Sequence, residues 1–249
     1  MSRALIKQAQ AESYKRAAFV FSVNTAPGWK LSVALAAAGI TKKARVTITI
    51  NAGVNVGGII IDSAPVKSRV RLINNGSLIG ASGSGSALTV SWPTHVTNNG
   101  RIAGGGGNGG NGGLGLHGSL SAARACVNTQ LAGGTGGLGA GMSGTNLITA
   151  TIGTAGVAAS DSAAKGGLAG NGGDLGNPGT AGGVGIKGNS WQGGNLSNAD
   201  GTSTYYPACG PYNSGSYDIG ALGGAAGFAV NGIAFVTYDV QGSIIGPVK

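Results

Sequence analysis

Apolar and polar residues alternate strictly in the first half of the chain. Residues 46–50 read Val-Thr-Ile-Thr-Ile, and a period of two is typical of a half-buried β-strand. Similar strands recur, each followed by the same turn-like motif. The pattern N-x-G-x-x-x-G occurs at Asn51–Gly57, Asn74–Gly80 and Asn98–Gly104. Asn-Gly supplies the positive φ of a tight turn, and the apolar residues after it begin the next strand. The pattern predicts the stacked coils of a β-solenoid or β-prism.

The same repeat returns at the end of the chain. Gln241–Gly246 matches Asn75–Gly80 almost letter for letter, and the strand-like stretch Gly232–Val240 precedes it. We therefore predict three parts: an N-terminal arm (1–30), a β stalk module made of two separate stretches (30–103 plus 229–249), and an insert (104–228).

Glycine dominates the insert, which holds 39 of the chain's 52 glycines. Between Gly167 and Gly188 a glycine occupies every third position. Period three is that of a polyproline-II-type helix, in which every third side chain lies on one edge. The predicted fold class is therefore mostly β plus a polyglycine-II bundle, with a β-solenoid or β-prism stalk. A collagen-like trimer and a flexible linker remain as alternatives, although the chain has only seven prolines and its triplet runs are interrupted.

Three stretches between the glycine runs are candidate recognition loops: Leu120–Leu131, Thr145–Lys165 and Asn189–Ile219. The third holds most of the tyrosines, in a setting of Ser, Asn and Gly that is typical of binding loops. The alternative for some of these rings is a structural role, in which they pack the loop against the glycine runs. The candidate binding residues of this loop are Trp191, Tyr205, Tyr206, Tyr212 and Tyr217.

Positive charge is concentrated in the first part of the chain. The formal net charge is +9, and residues 1–103 hold twelve Lys and Arg against two acids. These cations are scattered through strand-like segments without interleaved aromatic rings, so we expect no nucleic-acid partner. Solvated strand faces and attachment to an acidic partner both remain open.

The residue types that carry chemistry are sparse. His95 and His117 are the only histidines and the seven acids are dispersed, so we expect no enzyme, no metal site and no cofactor. Two G-x-G-x-x-G matches, Gly113–Gly118 and Gly183–Gly188, are expected by chance in so glycine-rich a stretch. The two cysteines, Cys126 and Cys209, are too few for a zinc site. They are either two thiols or one loop-to-loop disulfide.

The order of these features resembles a known kind of protein. The stretch Lys30–Gly57, the Asn-Asn-Gly turns, the insert and the ending Val236–Pro247 resemble the C-terminal receptor-binding part of tail-tip or central tail-fibre proteins of lambda-like phages. The insert alone resembles the glycine-rich adhesins at the long-fibre tips of T-even phages.

The resemblance implies a virion protein of the distal tail or fibre tip, made in the host cytoplasm. Its loops would bind an outer-membrane protein or a surface glycan, and residues 1–30 would attach it to other phage tail proteins. It leaves a homotrimer open. The alternative is a structural glycine-rich protein, such as an ice-binding protein or a fibre component, for which the irregular aromatic loop would have no use.

Overall fold

The protein is described here from a computed structural model, which covers residues 18–23, 28–121, 126–160, 164–189, 193–197, 203–207 and 215–249. Within these ranges β-strands predominate. The strands before the insert are β1 (Ala18–Ser22), β2 (Trp29–Lys30), β3 (Arg45–Ile50), β4 (Asn55–Gly57), β5 (Ile59–Ile61), β6 (Arg69–Asn74), β7 (Ser77–Ile79), β8 (Leu88–Val90), β9 (Thr94–Asn98) and β10 (Arg101–Ala103).

The insert and the C-terminal part contain the remaining strands. These are β11 (Gly115–Leu120), β12 (Cys126–Leu131), β13 (Gly141–Ser143), β14 (Asn146–Ile148), β15 (Gly185–Asn189), β16 (Gly193–Ser197), β17 (Ser203–Pro207), β18 (Gly215–Asp218), β19 (Val230–Asn231), β20 (Val236–Val240) and β21 (Ser243–Ile245). One α-helix, α1 (Leu31–Ala37), and one 3-10 helix, Ile233–Phe235, complete the described elements.

Three parallel sheets form the β stalk. The first has the order β1-β3-β6-β9-β20, the second β4-β7-β10-β21 and the third β2-β5-β8-β19. Each full turn of the chain contributes one strand to each sheet, and every strand pairs in parallel with the equivalent strand of the next turn. The alternation seen in the sequence therefore places one set of side chains inside the three sheets.

Apolar residues in register fill this interior. On the first sheet Ile48, Leu72 and Val96 lie side by side on neighbouring strands and are each 0% exposed. Val56, Leu78 and Ile102 do the same on the second sheet. Burial of these rows supplies the main favourable term for the stalk, because the transfer of apolar surface from water drives folding.

Two buried asparagines connect successive coils. Asn74 and Asn98 are 0% exposed and lie in register with Ile50 of the coil before. The Asn74 side-chain amide donates to the Asn98 side-chain oxygen at 2.8 Å, and the Asn98 amide donates to the carbonyls of Gln241 and Ser243 at 2.6 and 3.1 Å. These bonds satisfy polar groups that burial would otherwise leave costly.

The sequence predicts a positive φ at the glycines of the repeat, which holds at Gly53 (76°) but not at Gly76 and Gly100. Gly242 also has a positive φ (57°). A Cβ on Gly76 would lie 2.5 Å from the Asn51 carbonyl oxygen, and one on Gly100 would lie 1.9 Å from the Gly76 oxygen. The stacked turns thus leave no room for a side chain there.

The insert replaces a short corner of the stalk. In the preceding coil residues 80–87 connect β7 to β8, whereas residues 104–229 connect β10 to β19. The chain then rejoins the stalk, because β19 pairs with β8, β20 with β9 and β21 with β10. The two stretches of the predicted stalk module share all three sheets.

Extended segments of irregular backbone run back and forth through the insert and bond laterally to one another. We call residues 104–114, 132–140, 149–157, 164–174, 178–184 and 219–229 the glycine segments. The central one, 104–114, bonds to four others: the Gly109 N–H donates to the Gly137 carbonyl at 2.8 Å and the Gly110 N–H to the Thr180 carbonyl at 2.9 Å, while its carbonyls accept from Gly170 (2.8 Å) and Gly224 (2.7 Å).

The predicted polyglycine-II bundle is wrong as a fold class. The structure is mostly β-sheet, with parallel sheets in the stalk, and no polyglycine-II helix bundle is evident in the described residues. Spacing of three identified which backbones approach closely, but it did not identify their conformation, because any extended chain with lateral neighbours on several sides requires glycine at intervals.

The asparagine ladder gives a first test. We expect Asn98→Ala to lower the free energy of unfolding by about 1–3 kcal/mol or more, because it removes one of the two acceptors of the buried Asn74 amide and the amide that donates to two carbonyls. Asn99→Ala is the matched control, since Asn99 is exposed and its side chain bonds to the exposed Asn75 side chain; we expect a change within about 0.5 kcal/mol. Equal losses in urea unfolding would contradict the role given to the buried ladder.

Close backbone approach gives a second test. A Cβ on Gly110 would lie 1.9 Å from the Ala221 carbonyl oxygen, whereas the nearest atom to one on Gly183 is 3.3 Å away. We expect Gly110→Ala to destabilise the protein by about 1–3 kcal/mol or more through overpacking, and Gly183→Ala to change stability by about 1 kcal/mol at most. Thermal unfolding of the two variants measures the difference, and the absence of one would contradict tight packing around segment 104–114.

Candidate functional site

A four-stranded sheet closes the end of the glycine segments that lies away from the stalk. Its strand order is β12-β11-β15-β18, and we call it the tip sheet. The glycine segments meet the stalk at their other end, where the Gly104 N–H donates to the Ile245 carbonyl at 3.0 Å and the Gly176 N–H to the Gly104 carbonyl at 2.8 Å. The tip sheet is thus separated from the stalk by the length of the glycine segments.

Strand directions bring several connections to one edge of this sheet. β11 runs antiparallel to β12 and parallel to β15, and β15 runs antiparallel to β18. The ends of β11 and β15 and the beginnings of β12 and β18 therefore lie on the same side, which we call the tip edge. The connection after β11 and the long excursion after β15, residues 190–214, both leave and re-enter the sheet at this edge.

The second candidate loop also reaches the tip sheet. Its end pairs with β15, because the Lys165 N–H donates to the Ile186 carbonyl at 3.1 Å and the Ile186 N–H to the Lys165 carbonyl at 2.7 Å. Ala158 forms a further antiparallel bridge with Lys165. The second loop thus ends at the tip sheet, but it begins beside the stalk, where β14 pairs with β13 and Met142 of β13 bridges Ala81. All three loops contain strands or glycine segments that the sequence did not predict.

The excursion after β15 carries a β-hairpin. β16 and β17 pair in antiparallel register from Gly193–Pro207 to Ser197–Ser203. Tyr205 lies on β17 opposite Asn195 and is 66% exposed. Tyr206 lies on the same strand opposite Gly194. The structure thus brings two of the five candidate residues onto one short hairpin.

The other candidates are placed less closely. Tyr217 lies on β18 at a register shift, between Ser216, which faces Ile186, and Asp218, which faces Gly185. Trp191 and Tyr212 lie outside the described residues. The assignment of these five residues to a receptor site therefore stays a prediction.

Backbone and side-chain bonds hold the base of the tip sheet. The Asp218 carboxylate accepts from the Leu114 N–H at 2.9 Å, which joins the last strand of the sheet to the end of the central glycine segment. Cys126, the first residue of β12, is disulfide-bonded. Its predicted partner, Cys209, lies outside the described residues.

Sequence reasoning missed one exposed strand at the tip. The sequence placed 126–130 in a loop, but they belong to β12, and all five residues are exposed. Val127, for example, is 44% exposed. The signal was present in the β-favouring residues Val127 and Thr129, but the surrounding glycine runs concealed a strand whose partner, β11, precedes it by only a short connection.

The described residues show no candidate metal centre. They contain no group of three His, Cys, Asp or Glu side chains close enough to hold a metal ion. Nor does any helix among them have the length and apolar character needed to cross a bilayer. What this end of the insert presents is exposed strand and hairpin surface.

Comparisons with known proteins agree with a recognition role. The family model of the phage tail fibre adhesin Gp38 matches residues 18–249. The class of protein is thus a phage tail-fibre adhesin, which places it on the tail fibre of the virion. The chain belongs to the Gp38 family of these adhesins.

Among solved structures the chain is similar to the gp37–gp38 adhesin tip complex of the bacteriophage S16 long tail fibre. The identity is 19% and the TM-score 0.41, with 92% of this chain and 82% of that chain covered. A search of the curated proteins finds no match. The family model confirms the predicted resemblance to phage tail-fibre adhesins. It does not support the narrower resemblance to lambda-like tail-tip proteins.

The cysteine pairing can be tested directly. We expect a protease digest under non-reducing conditions to yield one mass that joins the peptides containing Cys126 and Cys209, and reduction to separate them. Non-reducing gel electrophoresis is the control, because a band of twice the monomer mass would show that Cys126 pairs between chains, contrary to this prediction.

Proposed function

We propose that this adhesin recognises a receptor on the surface of the host bacterium through the loops at the tip edge. The observation that supports the proposal is topological: strand directions in the tip sheet carry separate connections of the insert to one edge. A binding surface built from several loops on a packed base is a common arrangement, because the base limits the entropy lost on binding.

The residues of this end suit protein or glycan recognition. Tyr205 is a large ring with a polar hydroxyl and is 66% exposed on the hairpin. Tyrosine and tryptophan supply much of the energy of binding surfaces, since each combines a wide apolar area with a hydrogen-bonding group. We infer that Trp191, Tyr205, Tyr206, Tyr212 and Tyr217 form the receptor site, with an outer-membrane protein or a surface glycan as the receptor.

Attachment to the virion belongs to the opposite part of the chain. A tail-fibre adhesin must be carried by another tail protein, and we propose that residues 1–30 and the first coil of the stalk make this contact. We expect no catalytic turnover and no cofactor. Family membership favours this function over the ice-binding alternative.

Alanine substitution tests the receptor site. We expect Tyr205→Ala, Tyr206→Ala and Tyr212→Ala, combined, to abolish adsorption to host cells, because loss of one anchoring ring alone costs about 2 kcal/mol or more, equivalent to about thirtyfold in affinity. Changes in the loop Thr145–Lys165 should have a smaller, additive effect. Binding of the purified protein to whole cells measures both.

Leu222→Ala is the matched control, since Leu222 is 86% exposed on a glycine segment away from the tip edge. It should leave adsorption intact, and the melting temperature of the tyrosine variant should stay close to that of the wild type. Full adsorption by the tyrosine variant, or a loss only in proportion to lost stability, would contradict the assignment.

A further inference from the structure

Arginines lie side by side on the outward face of the first sheet. Arg45 of β3 and Arg69 of β6 are paired in register and both are exposed. Parallel strands are about 4.8 Å apart, and like charges directly opposite each other on neighbouring strands destabilise a sheet. Lys42 and Lys43 precede Arg45, and Lys67 precedes Arg69, so positive charge accumulates at the start of these two strands.

A carboxylate already neutralises the next row of the same face. Asp239 on β20 lies 3.4 Å from the Arg71 guanidinium and 3.2 Å from His95 Nδ1, and so it links side chains of β6 and β9. This contact shows where a carboxylate fits on the sheet, namely across two outward side chains of neighbouring strands. Arg45 and Arg69 have the same side-by-side geometry one row away.

The acids within the described residues do not supply that carboxylate. No ion pair joins Arg45 or Arg69 to a described acid. Asp62, the acid closest to them in the sequence, is engaged at the start of α1, where it accepts hydrogen bonds from the Ser32 N–H at 3.0 Å and the Ser32 hydroxyl at 2.5 Å. The stalk therefore has two adjacent cations, and no acidic side chain among the described residues offsets their repulsion.

We propose that Arg45 and Arg69 bind an acidic, extended peptide segment of the tail protein that carries this adhesin. The assignment of a tail protein as the partner rests on the proposed function; the binding of an acidic segment rests on the charge of this face. Arg45 and Arg69 start about 4.8 Å apart on neighbouring strands, and alternate residues of an extended segment are about 6.6 Å apart. A segment with Asp or Glu at alternate positions that crosses the two strands therefore presents carboxylates at an interval that the long arginine side chains can span.

Two observations favour a peptide over a glycan or a nucleic acid. The outward residues of β3, β6 and β9 are Arg, Thr, Ile and His, without the Trp, Tyr or Phe rings on which sugars and bases commonly stack. The arginines also lie in the second and third coils of the stalk, next to β1, whereas the loops proposed to meet the host surface lie beyond the glycine segments.

A peptide of about eight residues with alternating Glu and Thr is the probe. We expect it to bind the full-length protein in fluorescence anisotropy, more weakly as salt is raised because screening shortens the reach of exposed charges. The combined Arg45→Gln and Arg69→Gln variant should lose at least about tenfold in affinity. Lys187→Gln with Lys249→Gln removes the same charge away from this face and should bind like the wild type.

Three results would overturn the binding of an acidic peptide at Arg45 and Arg69. The first is equal binding by the arginine variant and the lysine control, and the second is a wild-type protein that does not bind the peptide. The third is inorganic polyphosphate or lipopolysaccharide that binds more tightly than the peptide and in the same arginine-dependent way, because the ligand would then be a phosphate polymer. The tyrosine variant of the tip should bind the peptide normally, so a failure of the receptor assignment leaves this result unaffected.

Discussion

The structure of the insert depends on one constraint: each backbone segment has to approach several neighbouring backbones closely enough to form direct hydrogen bonds with them. A strand in a sheet has two hydrogen-bonded neighbours, but segment 104–114 has four. Such crowding places carbonyl oxygens about where side chains would begin, as the 1.9 Å contact at Gly110 illustrates. Glycine is therefore a steric requirement here, and the scarcity of large side chains follows from it.

The stalk solves the same packing problem with side chains. Its strands are bonded only within each sheet, so the space between the sheets has to be filled by rows such as Ile48, Leu72 and Val96. The buried pair Asn74 and Asn98 adds polar bonds between coils at a corner where the chain turns. The stalk thus has an interior of apolar side chains, whereas the interior of the insert consists of hydrogen-bonded backbone. The change from one to the other occurs at the corner after β10.

The sequence was informative wherever a period had one physical cause. Alternation identified the strands from Val46 onward, and the match of Gln241–Gly246 to Asn75–Gly80 identified strand β21, which indeed lies beside β10 in the sheet that contains β7. Period three was misleading, because close approach of extended chains and a regular helix both place glycine at every third position. The tip sheet was hidden for a related reason: its pairing of β11 with β15 joins residues far apart in the chain, and no local pattern reports such a contact.

The point at which the chain leaves and rejoins the stalk has a consequence for how the insert can vary. Because β10 and β19 are held by their own neighbours in the sheets, the chain between them is a closed loop. The entropy of closing a loop rises only logarithmically, by about 0.6 kcal/mol for each doubling of its length. Lengthening or exchanging the insert therefore lowers the stability of the stalk only slightly, provided that each added backbone segment forms hydrogen bonds with other segments of the insert. Changes can therefore accumulate in the insert while the stalk keeps its structure.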